Sequence, residues 1–300
     1  AQEIQKIRNL DRPELKAVTL PMLFKASKGE SGLEKGLEIL CQKASQAIRD
    51  KATILILSDK AMDADNVPIP SLLATGAVHH HLIRELTRTQ VGLVVETGET
   101  REMMHFALLI GYGATCIYPY VAYETVAQMV KDRIYVPEVD FETALQNYIT
   151  STHKGLFKII AKMGISTLRS YRGAQIFEAV GLNETVIDRY FTGTPSRVSG
   201  VGLEVIARES LLRHRKAYTL AQGLPFTLDL GGNYHWRRGY EMHMIEPKTV
   251  GLLQHATRSN DYRLYKKFSQ ISDEVNTQKC TLRGLLKFKK PTPIPIEEVE

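Results

Sequence analysis

Short apolar runs alternate with segments of helical spacing over the first 220 residues. Near-continuous apolar runs of this length are typical of strands buried on both faces of a sheet. The predicted strands are AVTLPMLF (17–24), ATILILSD (52–59), VGLVVET (91–97), ATCIYPY (114–120), ISTLRSY (165–171) and QIFEAVGL (175–182).

Helical periodicity fills the segments between these strands. Residues 31–50 place Leu33, Leu37 and Leu40 on one face, with Ser31 as the predicted N-cap. Further helices are predicted over 71–88, 101–112, 141–163, 183–191 and 202–216. Strands that alternate with helices predict right-handed βαβ units around a parallel sheet. About six units are predicted, whereas eight close a barrel. Two α/β architectures fit: a doubly wound open sheet, or an incomplete TIM-barrel-like domain.

The pattern changes after residue 217. The stretch GGNYHWRRGYEMHM (231–244) is polar and aromatic without a clear period, and residues 248–275 predict two helical pieces. The end of the chain, TLRGLLKFKKPTPIPIEEVE (281–300), alternates with proline and predicts extended structure. We therefore expect a β/α domain over residues 1–220 and a mostly helical and extended connector over 221–300. Because the chain starts at Ala1, we expect a piece of a longer polypeptide.

Charge and cysteine usage narrow the functional classes. The net charge is +6, from 39 basic and 33 acidic residues spread along the chain. A nucleic-acid interface would be denser and interleaved with aromatic residues. The three cysteines form no CxxC pair, which argues against a zinc ribbon or an iron–sulfur ligand run. We expect Cys41 and Cys116 to be buried free thiols.

Three consecutive histidines occur in GAVHHHLI (76–83). Metal-binding pairs on a helix need i,i+4 spacing, and no histidine lies four residues from another here. The predicted apolar stripe of this helix consists of Leu72, His79, Ile83 and Leu86. His80 is expected at the border of the stripe and His81 on the surface. The triplet is therefore interpreted as structural.

Polar residues at the carboxyl ends of the predicted strands are the candidates for function, because active sites of β/α barrels lie at that edge. These candidates are Ser58, Asp59, Glu96, Thr97, Ser170 and Arg172. Asp59 and Glu96 are consistent with a general acid/base pair, and equally with caps of the following helices. The glycine-rich SGVGLE (199–204) lacks the strand that precedes a phosphate-binding loop, so we interpret it as a structural turn.

Four long stretches together resemble the glutamate synthase large (α) chain, in the same order. They are PIPSLLATGAVHHHLIRE (68–85), VGLVVETGETREMMHFALLIGYGATCIYPYVAYET (91–125), KGLFKIIAKMGISTLRSYRGAQIFEAVGL (154–182) and TLRGLLKFKKPTPIPIEEVE (281–300). The resemblance runs from about Leu20 to Glu300. It identifies the C-terminal part of the central domain, with an incomplete barrel fold, followed by the connector into the FMN synthase domain.

The resemblance implies an oxidoreductase of the cytoplasm, or of the plastid in a photosynthetic eukaryote. Glutamate synthase converts L-glutamine, 2-oxoglutarate and a reductant (NAD(P)H or ferredoxin) to two L-glutamates. The full-length enzyme is expected to use FMN and a 3Fe-4S cluster, with FAD and NADPH on a small subunit when it depends on pyridine nucleotides. Expected partners are the glutaminase and FMN synthase domains of the same polypeptide and that small reductase subunit, without nucleic acid or membrane.

The family's catalytic machinery has no counterpart in this chain. Ala1 stands where the glutaminase domain would have its cysteine nucleophile. We therefore expect no catalytic, cofactor-binding or metal residue, and a scaffold that helps to form an ammonia tunnel. The six polar candidates would lie at the tunnel or at a domain interface. Two alternatives stay open: a self-contained β/α barrel enzyme that uses Asp59 and Glu96, and an interaction module with residues 221–300 as a docking arm.

Overall fold

The computed structural model describes residues 2–10, 12, 14–134, 139–220, 231–232, 234–287 and 293–299. The chain forms two compact units, Ala1–Leu224 and Pro225–Glu300. Strands in the described residues are β1 Ala17–Pro21, β2 Leu23–Lys25, β3 Ile54–Ser58, β4 Asn66–Pro68, β5 Gly92–Glu96, β6 Cys116–Tyr118, β7 Ala179–Leu182 and β8 Ser196–Val201. Helices in the same residues are α1 Gln2–Arg8, α2 Ser31–Arg49, α3 Ser71–Arg84, α4 Met103–Gly111, α5 Tyr120–Lys131, α6 Phe141–Lys162, α7 Leu168–Tyr171, α8 Glu184–Tyr190, α9 Leu203–Leu220, α10 Pro247–Ser259, α11 Tyr262–Val275 and α12 Leu282–Leu285.

A four-stranded parallel sheet with the order β1-β3-β5-β6 organises the first unit. Alternate side chains of a strand point to opposite faces, and both faces of this sheet are covered. Leu57 and Leu93 pack in the large core with Leu37 of α2. Ile56 and Val94 pack on the other face with Ile4 of α1. The predicted α/β class with an incomplete set of parallel β/α units is confirmed.

Three local details at the ends of helices differ from the predictions. Residues 165–171 are not a strand: Thr167 accepts a hydrogen bond from the Ser170 amide and begins α7. Ser31 is not the N-cap of α2, since Glu30 precedes it and the Ser31 hydroxyl donates to the carbonyl of Lys28 at 2.9 Å. Helix α3 ends at Arg84 instead of residue 88 because the chain adopts a left-handed conformation at Leu86, with φ of 58°.

Several elements were not predicted. Helix α5 follows Pro119 directly, and SGVGLE contains the end of strand β8. Strands β7 and β8 pair in parallel in their own small sheet, where a Cβ on Gly200 would lie 2.2 Å from the carbonyl oxygen of Gly181. This close backbone approach explains the glycine at position 200, because any larger residue would separate the strands.

The histidine triplet occupies a different environment from the predicted one. The apolar stripe was wrong: Ile83 is 45% and Leu86 is 88% exposed, and the buried side of α3 carries Leu73, Ala74, Ala77, Val78 and Leu82. Helix α3 contacts the sheet and three helices, α2, α4 and α8. It therefore buries more than one stripe, so the single-face assumption of the helical wheel fails.

Each histidine of the triplet is half-buried. The Arg88 guanidinium donates to Nδ1 of His79 at 2.9 Å, and burial followed by that positive charge lowers the His79 pKa to about 3. His81 was expected on the surface, but its Nε2 lies 2.8 Å from the Ser45 hydroxyl of α2. These contacts join α3 to its neighbours, which agrees with a structural role for the triplet.

The second unit contains the two helical pieces predicted for residues 248–275, α10 and α11. Asn260 between them is left-handed, with φ of 49°, and Asp261 caps α11 by accepting hydrogen bonds from backbone amides. Part of the predicted extended tail, residues 288–292, lies outside the described residues. The assignment of 1–220 as central domain and 221–300 as connector stays a prediction.

Helices α3 and α8 approach each other through Gly76. A Cβ at this position would lie 2.6 Å from the carbonyl oxygen of Tyr190 and 3.0 Å from the ring of Phe191. Because a backbone carbonyl cannot rotate away, we expect Gly76→Ala to lower the free energy of unfolding by about 2 kcal/mol despite the higher helix propensity of alanine. Urea denaturation of the 300-residue chain measures this difference.

Gly155→Ala is the matched control in a helix of the same unit. The three atoms nearest to its Cβ would all belong to the side chain of Met103, which is 48% exposed and flexible, so it can move outward. We expect this change to stay within about 1 kcal/mol of the wild type. Equal effects of the two substitutions would contradict the close helix contact.

Candidate functional site

Four of the six predicted site residues meet at the carboxyl end of the parallel sheet. The strand register pairs Ser58 with Glu96, the last residues of β3 and β5. Asp59 and Thr97 follow directly, so they are neighbours as well. All four are buried, with exposures of 5% or less. The structure thus brings these four residues together, and we call this group the strand-end cluster.

Glu96 lies at the centre of the cluster and is fully buried. Its Oε2 accepts hydrogen bonds from the Ser58 hydroxyl and from the guanidinium of Arg8. Its Oε1 is buried without a partner in the described structure. Arg8 comes from α1, which lies on the sheet through Ile4. Sequence reasoning missed Arg8, because a short helix with mixed charge shows no signal for a distant carboxylate.

Asp59 is the second carboxylate of the cluster. It accepts from the Thr97 hydroxyl at 2.6 Å and from the Gly98 amide at 3.0 Å, and the Tyr120 hydroxyl also donates to it. Burial raises the pKa of Asp59, and these hydrogen bonds oppose the shift. Burial and the nearby Asp59 carboxylate raise the pKa of Tyr120. The loop after β5 is thus tied to the end of β3.

The helix-capping alternative applies to a residue that was not proposed. Glu99 accepts from the Ser71 amide at 2.7 Å and from the Ser71 hydroxyl at 2.6 Å, so it holds the N-terminus of α3. A carboxylate at this position is favoured by the helix dipole. The Glu99 amide donates to the Thr97 hydroxyl at 3.1 Å, which connects this cap to the strand-end cluster.

Ser170 and Arg172 do not join the cluster. They were placed at a strand end, but residues 165–171 form no strand, and the Ser170 amide donates to Thr167. The Arg172 guanidinium reaches the Thr115 hydroxyl at 3.4 Å, and Thr115 immediately precedes β6. Arg172 therefore lies near the amino ends of the strands, at the opposite edge of the sheet from Glu96.

The cysteines differ in part from expectation. All three are free thiols. Cys41 is half-buried, and burial raises its pKa to about 11. Cys116 is exposed instead of buried, because β6 is the outer strand of the sheet.

Two further features of the described residues bear on the class of protein. No group of three or more His, Cys, Asp or Glu residues there is arranged to hold a metal ion. No helix found there combines the length and apolar character that crossing a bilayer requires.

Comparison with known proteins gives consistent matches. Residues 1–183 match the family described as the glutamate synthase central domain. The chain is 43% identical over 300 residues to the glutamate synthase [NADPH] large chain of Bacillus subtilis, covering 100% of this chain and 19% of the relative. It is 38% identical over 304 residues to glutamate synthase [NADH] of Schizosaccharomyces pombe, covering 100% and 14%. It is 39% identical over 300 residues to the chloroplastic ferredoxin-dependent glutamate synthase of Spinacia oleracea, covering 96% and 18%. The chain thus spans about a fifth or less of the length of these relatives.

The buried Asp59 carboxyl makes the stability of the fold dependent on pH. An acid whose pKa is raised by folding binds its proton more tightly in the folded state. Its stabilising contribution is complete below the unfolded pKa, near 3.8, and is lost as the pH rises through the folded pKa. We expect the free energy of unfolding of the wild type, relative to Asp59→Asn, to decrease over that window in urea titrations at successive pH values.

Asp63→Asn is a control with the opposite sign. Hydrogen bonds from the Asp65 amide and from Asn66 lower the Asp63 pKa. Its contribution should therefore be present above the unfolded pKa and be lost as the pH falls through the folded one. If the Asp59 difference rose with pH as the Asp63 difference does, the burial of Asp59 would be contradicted.

Proposed function

The chain belongs to the glutamate synthase central domain family, and from this premise we propose that it is a non-catalytic scaffold within a glutamate synthase. The whole protein would convert L-glutamine and 2-oxoglutarate, with a reductant, to two L-glutamates. Its relatives include NADPH-, NADH- and ferredoxin-dependent forms. This segment would hold the glutaminase and FMN synthase domains of the same polypeptide at a defined separation.

The cofactors of the proposed enzyme would bind outside this segment. FMN and a 3Fe-4S cluster would serve the synthase domain, and a small reductase subunit would carry FAD and NADPH in a pyridine-nucleotide-dependent form. We place the whole enzyme in the cytoplasm, or in the plastid if its source is a photosynthetic eukaryote.

The burial and internal hydrogen bonding of Asp59 carry this proposal. A catalytic base needs a free lone pair, and a catalytic acid needs a proton, within hydrogen-bond distance of the substrate. Asp59 is instead occupied by Thr97, Gly98 and Tyr120, and it is 1% exposed. Such a carboxylate orders the backbone around it. The same burial disfavours the alternative of a self-contained enzyme with Asp59 and Glu96 as its acid/base pair.

A conduit for ammonia needs a rigid polar wall that excludes bulk water. Ser58, Asp59, Glu96 and Thr97 supply fixed polar groups at one edge of the sheet, and we propose that this edge borders the tunnel or the domain interface. Ser170 and Arg172 would face an interface at the opposite edge. Arg8 adds a contact outside the six candidates, because it ties α1 to Glu96.

In the full-length enzyme, disturbing the strand-end cluster should uncouple the two half-reactions. Glu96→Gln removes the charge that pairs with Arg8 and leaves the partly buried guanidinium without its counter-ion. We expect glutamine hydrolysis to continue while reductant-dependent glutamate formation falls, so that hydrolysis per glutamate formed rises several-fold. Parallel assays of ammonia release and cofactor oxidation measure this ratio.

Arg49→Gln is the matched control, because Arg49 is exposed at the end of α2 and bonds only to nearby Gln46 among the described contacts. Its hydrolysis-to-synthesis ratio should equal that of the wild type. If Glu96→Gln lowered both activities in proportion, the tunnel role would be refuted while a purely structural role would stand.

The isolated 300-residue chain should bind no FMN. A phosphate group favours a helix N-terminus with free amides, but Glu99 already occupies the start of α3. The exposed Glu99 carboxylate also adds negative charge there, which repels a phosphate. Fluorescence titration of FMN with the purified chain, with bovine serum albumin for comparison, should show no saturable quenching. Stoichiometric quenching would overturn the cofactor-free assignment.

A further inference from the structure

A small cavity lies beside the strand-end cluster, on the side that faces α9. Its volume is about 190 Å³, and its polar lining consists of Glu99, Ser210, Arg213, His214 and Tyr218. Glu99 comes from the loop after β5, whereas the other four come from α9. The carboxyl edge of a parallel sheet is where α/β proteins commonly bind ligands. None of these residues belongs to the six candidates predicted from the sequence.

The cavity carries one exposed charge of each sign. Glu99 uses Oε2 to accept from Ser71, and its side chain is otherwise exposed. The Arg213 side chain is 65% exposed, and its guanidinium makes two long contacts, at 3.7 Å with Glu209 and at 3.5 Å with the Ser210 hydroxyl. Glu99 and Arg213 line the same cavity and form no ion pair with each other. Each charge therefore keeps the capacity to meet a ligand group of opposite sign.

Contacts within the protein hold the side chains that line the cavity near Glu99 and Arg213. His214 is 8% exposed, and its Nε2 donates to the carbonyl of Asp63 at 2.7 Å. Its ring lies 4.6 Å from the ring of Tyr218. The Ser210 hydroxyl donates to the carbonyl of Ile206 at 3.0 Å and accepts from the Arg213 guanidinium at 3.5 Å. These contacts fix the lining side chains before any ligand arrives, which reduces the entropy lost on binding.

We propose that this cavity binds a free zwitterionic α-amino acid, with the ligand carboxylate on Arg213 and the ligand ammonium on Glu99. Guanidinium groups bind carboxylates through paired, charge-assisted hydrogen bonds. The volume is below the roughly 300 Å³ at the lower end of sites for drug-sized ligands, so it suits a small molecule. Because the Glu99 amide bonds to Thr97, a bound amino acid would also act on the loop that Asp59 holds.

The methionine that lines the cavity provides a direct probe. Met62 is one of eight methionines, and it borders the site. The whole 300-residue chain, labelled with ¹³C at the methionine methyl groups, would be titrated with L-alanine, propionate and isopropylamine, and Met62→Leu assigns the signal. We expect L-alanine to shift the Met62 signal saturably. The two single-charge analogues should bind at least about tenfold more weakly, since each lacks one charge-assisted contact.

Two variants test the assignment of each charge. Glu99→Gln keeps an oxygen that accepts from Ser71, and Arg213→Gln removes the cation; each should weaken L-alanine binding by about tenfold or more. Arg215→Gln is the matched control, because Arg215 is an exposed cation on α9 that does not line the cavity. The affinity of Arg215→Gln for L-alanine should equal that of the wild type. Thermal unfolding midpoints equal to that of the wild type would show that all the variants fold.

Three results would overturn the proposal. The first is the absence of a saturable shift of the Met62 signal with millimolar L-alanine. The second is propionate binding as tight as that of L-alanine, which would indicate a simple anion site. The third is wild-type affinity for L-alanine in both Glu99→Gln and Arg213→Gln. The analogue titrations use only the wild-type chain, so they decide the matter even if a variant is unstable. The Glu96→Gln experiment on the two half-reactions is independent of amino-acid binding, because Glu96 does not line the cavity.

Discussion

The parallel register between β3 and β5 is the constraint on which the candidate site depends. It places Ser58 opposite Glu96, and each following residue then falls beside a partner from the other strand. The Asp59 amide donates to the Glu96 carbonyl at 3.2 Å, and the Asp59 carboxylate receives Thr97 and Gly98. A shift of one residue would turn these side chains to the opposite faces of the sheet. The polar cluster is therefore a consequence of strand pairing.

Burial of the two carboxylates requires specific compensation, because an unpaired buried charge is strongly unfavourable. Neutral donors from the adjoining loop and from Tyr120 surround Asp59. Glu96 instead forms an ion pair with the guanidinium of Arg8, whose side chain is 21% exposed. This difference divides the roles of the carboxylates. Asp59 connects neighbouring loops, whereas Glu96 connects the sheet to a helix from the beginning of the chain.

The edge of the sheet is thus organised in two layers. The inner layer, made of Ser58, Asp59, Glu96 and Thr97, is buried. The outer layer begins at Glu99, which caps α3 and lines the cavity beside α9. A rigid inner layer holds the outer one in place, since Thr97 bonds both to Asp59 and to the Glu99 amide. This arrangement is consistent with the scaffold and the ligand site that we propose.

The sequence by itself determined the α/β class and the strands of the central sheet. Continuous apolar runs and parallel connections suffice for these features, because they follow from local pattern and general topology. Tertiary structure alone decided the partner of Glu96, the placement of Arg172 and the environment of the histidines. Arg8 and Glu96 are far apart in sequence, and α3 packs on several neighbours at once. Such contacts depend on how elements meet in space, which the periodicity of a single element does not encode.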